Sequence, residues 1–163
     1  MNMIAIGIDF GESRIGVAAS DALGMLAHPV ETVAAQPPDA ARRRIAEIVR
    51  LRKAECLVIG LPIRQCGTEG TTAAKVRRFA AALATEFPAG FRIEYQDEFG
   101  STKSAADNLR AAGRRTHTHR PVLDQAAAVV ILQEWLDAFY PAMEHDESPP
   151  PSNSPSRTPR RSR

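Results

Sequence analysis

A chain of 163 residues, 44% hydrophobic and 25% charged, has the material for one domain with a real core and too little for two of ordinary size. Its 21 Lys and Arg against 19 Asp and Glu give a formal charge of +2, which excludes a strongly basic nucleic-acid coat protein. Cys56 and Cys66 offer neither a zinc-site spacing nor a disulfide framework. No apolar run approaches a membrane span, and the first residues lack a charged segment followed by a long apolar one, so the cytosol is the expected location.

Ile4, Ile6 and Ile8 alternate with Ala5, Gly7 and Asp9, the period of two that marks a strand, and Asp9 falls where that strand runs out. Gly11 supplies a turn, and apolar residues resume at Ile15 and Val17, which predicts a hairpin. Backbone N–H groups of that turn are placed to face a phosphate. The face that carries Asp9 is otherwise Ala5 and Gly7, small enough for another element or a ligand to approach. A third short strand is expected over residues 25–33, at a sheet edge because Pro29 cannot donate to a ladder. His28 reads as a loop or surface histidine.

Pro37, Pro38 and Asp39 mark a helix start, followed by Ile45, Ile48 and Val49 on one side and arginines on the other. Arginines recur in three groups, 42–44, 50–53 and 114–120, which fit a polyanion or simply solvated surface. The apolar run 56–62, ending in Gly60, Leu61 and Pro62, predicts a strand buried on both faces. A second helix carries Val76, Phe79, Ala80, Leu83 and Phe87 as one buried stripe. Residues 91–98 alternate again and end, like the first strand, in carboxylates, Asp97 and Glu98. Ser101 or Thr102 is set to cap a helix that runs through Leu109 and ends at Gly113. His117 and His119 follow in a polar, basic stretch that offers little prospect of a metal site. Pro121 opens a last helix with Asp124 in its first turn. That helix is apolar on every side through Leu132, so it is expected to be sandwiched inside the domain. Residues 1–143 thus form one domain, and residues 144–163, rich in Pro, Ser and Arg, have too little apolar surface to offset ordering and are expected to be a disordered tail.

This order of elements predicts an α/β fold with a mixed sheet whose later strands are joined by right-handed crossovers. Ligands of such sheets collect at strand carboxyl ends. Asp9 and Glu98 sit at two such ends, and Asp124 opens a helix able to pack beside them. Three acids in one cleft repel unless a cation joins them, so a divalent metal site is the economical account.

Over residues 3 to 140 the chain resembles the YqgF (RuvX) family, described as pre-16S rRNA nucleases and as Holliday junction resolvase homologues. The resemblance rests on residues 7–11 (Gly-Ile-Asp-Phe-Gly) with 14–18 (Arg-Ile-Gly-Val-Ala), on Ser20-Asp21, on 58–62 with 67–70, on Asp97-Glu98, and on 124–127 with 132–136. It implies a ribonuclease H-like fold, a mixed five-stranded sheet flanked by helices. It also implies Asp9, Glu98 and Asp124 as catalytic metal ligands for magnesium or manganese, with Arg14 at a substrate phosphate and Thr102 as a supporting hydroxyl. The implied reaction is hydrolysis of RNA phosphodiester bonds at the 5′ end of pre-16S rRNA during ribosome biogenesis, with structured RNA and ribosomal particles as partners.

Two departures bear on activity: Ser13 stands where the family usually has Lys, and Phe99-Gly100 interrupts the usual Asp-Glu-Arg and its Ser/Thr pair. Cations lost beside the site weaken substrate binding without touching the metal ligands. Other readings are a Holliday junction resolvase, a catalytically weak RNA- or ribosome-binding module, and, from Asp-Phe-Gly between two strands, a phosphate loop like that of the actin and Hsp70 superfamily. A resolvase needs a two-fold dimer. The outer helix faces carry Arg43, Arg50, Lys75 and Arg78 instead of an apolar patch, so the expectation is a monomer with no membrane association.

Overall fold

A computed structural model describes residues 3–63, 70–98 and 120–139. The strands are β1 (Ala5–Phe10), β2 (Arg14–Ser20), β3 (Ala27–Ala34), β4 (Cys56–Pro62) and β5 (Arg92–Glu98), and the helices are α1 (Pro38–Leu51), α2 (Thr71–Ala84) and α3 (Arg120–Phe139). The strands form one five-stranded sheet in the order β3-β2-β1-β4-β5. β1 pairs antiparallel with β2, as the alternation and turn require, and parallel with β4, which in turn runs parallel to β5. This is the mixed sheet expected from the sequence, with the carboxyl ends of β1, β4 and β5 at a common edge.

Alternation divides the core. Ile6, Ile8, Ile15, Val17, Leu57 and Ile59 point to one face, where Ile45, Ile48 and Val49 of α1 and Val76, Phe79 and Leu83 of α2 cover them. Ala5, Ala18, Cys56 and Val58 point to the other, against Ala128, Ile131, Leu132, Trp135 and Leu136 of α3. α3 approaches so closely because the strands are small beneath it. A Cβ on Gly7 would lie 2.6 Å from Leu132 Cβ. Burial pushes the Cys56 thiol up to about 12, with the charge of Glu94 adding to the effect, so it remains a core side chain.

Several local expectations change. β3 is indeed the edge strand, but it includes His28, which pairs with Ala19 in the ladder and whose Nε2 lies 3.2 Å from Arg52 Nη1. The register shifts between Val17 and Ala18, skipping Val30 beside Pro29, the kind of bulge that edges tolerate. Phe87 lies beyond α2 and stacks on Phe91, with centroids 4.3 Å apart, because the chain leaves the helix after Ala84. α3 starts at Arg120, one residue before Pro121, so Asp124 lies in its second turn and not at the positive end of the helix. α3 is not sandwiched among the described residues: its main contacts are with the strands, and Val129 and Val130 remain only partly buried. The helix expected over 101–109, His117, His119, Thr102, the departure at Phe99 and the tail at 144–163 all lie outside the described residues.

Side chains tie the layers together. Ser20 Oγ accepts the Ala5 N–H at 2.8 Å, and Asp21 closes the β2–β3 turn by accepting the Met25 N–H at 2.9 Å, which holds its carboxyl below the usual range. Arg44, from one of the arginine groups, reaches Glu31 on β3 with Nε at 2.8 Å and Nη2 at 2.6 Å, a forked pair that staples α1 to the edge strand.

Candidate active site

Asp9 is the last inward residue of β1 on the α3 face, and it is buried at 9% exposure. It pairs in the ladder with Gly16 on β2. The backbone of α3 sits directly over that glycine: a Cβ there would lie 1.9 Å from the carbonyl oxygen of Asp124. On the other side of β1, the parallel register that matches Ile8 with Ile59 brings Gly60 beside Asp9. A Cβ on Gly60 would lie 3.1 Å from the carboxyl carbon of Glu98, which reaches over from the end of β5. Two glycines thus flank Asp9, with Asp124 lying over one and Glu98 over the other, so the three acids gather on one face and at one end of the sheet.

Arg14 opens β2 at the same end, and its Nε donates to Asp124 Oδ2 at 2.9 Å, with the side chains 37% and 24% exposed. Asp124 is therefore partnered by a cation of the fold. Among the described residues no three His, Cys, Asp or Glu side chains lie close enough together to share one metal ion. The donor chemistry nonetheless fits a hard divalent cation: the residues are carboxylates, with no thiol or imidazole among them.

The pose of α3 is fixed by polar ties that the sequence did not single out for that role. Gln125 Nε2 donates to Thr32 Oγ1 at 3.1 Å, and Gln133 bridges the β2–β3 turn by accepting the Ala27 N–H at 2.9 Å and donating to the Met25 carbonyl at 3.0 Å. Trp135 Nε1 donates to Glu94 Oε2 on β5 at 2.8 Å. Gly16 and Gly60 were also passed over as site residues. Their signal was available: a glycine inside a strand pattern marks a close approach.

The family described as "RuvX: Holliday junction resolvase" matches residues 3–138 of the chain. A protein of Leifsonia xyli subsp. xyli named "Putative pre-16S rRNA nuclease" is 46% identical over 135 residues, 83% of this chain and 86% of its own length. A protein of the same name from Nocardia farcinica is 47% identical over 140 residues, 81% of this chain and 76% of its own. Among solved structures, T. thermophilus RuvC in complex with Holliday junction substrate superposes with a TM-score of 0.51 at 18% identity, covering 84% of this chain and 95% of that one. The fowlpox virus Holliday junction resolvase gives 0.50 at 12% identity, covering 85% and 100%. At such identities the likeness establishes the ribonuclease H-like fold.

Proposed function

This chain belongs to the RuvX family, and from that premise we propose that it is a nuclease hydrolysing RNA phosphodiester bonds with a divalent metal, acting in the cytoplasm at the 5′ end of pre-16S rRNA. What supports this reading is that the elements carrying Asp9, Glu98 and Asp124 meet at one end of the α3 face, with the Asp124 backbone over Gly16 and the Glu98 carboxyl near Gly60 on either side of Asp9. Asp9, Glu98 and Asp124 would hold magnesium or manganese, which would supply charge to polarise the phosphate and lower the pKa of an attacking water. Burial of Asp9 on a hydrogen-bonded strand fixes its carboxylate, which keeps the reaction geometry from relaxing. Arg14 has two roles: its Nε orients Asp124, and its remaining guanidinium donors are available to the substrate phosphate. Thr102 supplies a hydroxyl to the same phosphate, and structured RNA within ribosomal particles is the natural substrate.

The test is incubation with a structured pre-16S RNA and, separately, a four-way DNA junction, with and without manganese. Asp9→Asn, Glu98→Gln and Asp124→Asn are run beside the parent. Manganese-dependent RNA cleavage lost in all three variants supports the reading. Cleavage by Asp124→Asn at the parent rate removes that residue from the site. Paired nicks across the junction, with RNA left intact, would transfer the assignment to a resolvase. Full RNA binding without any cleavage would leave a binding module.

A further inference from the structure

On the sheet face opposite the acids lies a groove of about 630 Å³ between the turn 11–13, the start of α1 and the outer side of α2. Its floor is Phe10 stacked on Phe79, with centroids 4.7 Å apart. Arg42, Lys75 and Arg78 line it against one acid, Glu12, a lining charge of +2. Lys75 pairs with Glu12 and Arg42 with Asp39, so each of those cations is partly neutralised, whereas Arg78 is exposed on α2. The Nε of Arg42 is buried and meets no acceptor among the described residues.

Position gives the groove its meaning. Phe10 follows Asp9 in β1, and consecutive strand residues point to opposite faces, so the groove and the acids lie on the two sides of one strand end. We infer that this groove holds the single-stranded RNA segment flanking the cleaved phosphate, with its backbone along Arg42 and Arg78 and an apolar base or sugar face on Phe10. The inference rests on the nuclease reading for its substrate, but binding can be measured without turnover. A cationic groove floored by an aromatic ring is the combination that single strands use.

The experiment uses the full-length Asp9→Asn protein and a fluorescent single-stranded RNA of about 12 nucleotides, within the ~4–16-nucleotide range of single-strand sites. Anisotropy is followed from low to high salt. Arg78→Glu should weaken binding roughly fivefold and make the salt slope shallower by about 0.7, the share of one phosphate contact on a single strand. Arg78→Lys should keep most of the affinity. Arg50→Glu, a charge reversal on α1 away from the groove, should change it less than about twofold, and all melting temperatures should stay put because both side chains are exposed. Equal losses in Arg50→Glu and Arg78→Glu, or none in either, would overturn the inference, as would polyglutamate displacing the RNA at equal charge concentration. Cleavage by the parent is read separately: Arg78-dependent binding without cleavage keeps the groove and rejects the nuclease, and cleavage with Arg78-independent binding does the reverse.

Discussion

Gly16 shows how little tolerance the site has at the scale of one residue. Any Cβ there falls 1.9 Å from the Asp124 carbonyl oxygen, on helix backbone that cannot swing away like a side-chain tip. Gly16→Ala must therefore push α3 off the sheet, at a cost of about 3 kcal/mol or more, and move Asp124 with it. Chemical denaturation should record that loss, and a variant as stable as the parent would show that α3 does not sit over Gly16. At Gly60 the nearest obstacle to a Cβ is the flexible end of Ile131, so the same change there should act on Glu98 more than on stability. Residue-level reading of the sequence identified Asp9, because an acid at the end of an alternating run is conspicuous. It named Asp124 as well but not the partner of that residue, because the contact with Arg14 joins positions 110 apart in sequence.

Elements were legible where local pattern and tertiary environment agree. The hairpin, the buried strand β4 and the alternating β5 follow from period and turn chemistry, and their placement in one sheet follows from the rules for crossovers. Phe87 continued the helical spacing of α2 by coincidence, since nothing in its side chain marks the end of the helix at Ala84. The arginine group in α1 was ambiguous from sequence, and the fold divides it: Arg44 is a structural staple, whereas Arg42 lines the groove. That staple has a pH signature. The hydrogen bond from Arg44 holds the Glu31 carboxyl below the usual glutamate range, against a smaller opposing effect of burial. A depressed carboxyl contributes stability that is present above the ordinary glutamate pKa and is lost as pH falls through the folded-state value. Acidification below about pH 4.3 should therefore lower the urea midpoint of the parent more steeply than that of Glu31→Gln. Parallel curves for the two proteins would show that the pair adds nothing.

For the whole molecule, the fold places the acid-bearing face and a basic groove on the two sides of one strand end. Residues 144–163 carry Arg157, Arg160, Arg161 and Arg163 without apolar residues to build a core. Their deletion should leave the melting temperature unchanged while lowering RNA affinity at low salt, an effect that vanishes as salt screens it. A large fall in melting temperature would show that this segment packs on the domain. Whether Asp9, Glu98 and Asp124 together hold a divalent ion is decided by titrating free manganese, read by electron paramagnetic resonance, in the presence of the parent or Asp9→Asn protein. The parent should remove the free-ion signal saturably, and Asp9→Asn should not. Equal depletion by both proteins, or none by the parent even with RNA present, would contradict a shared ion.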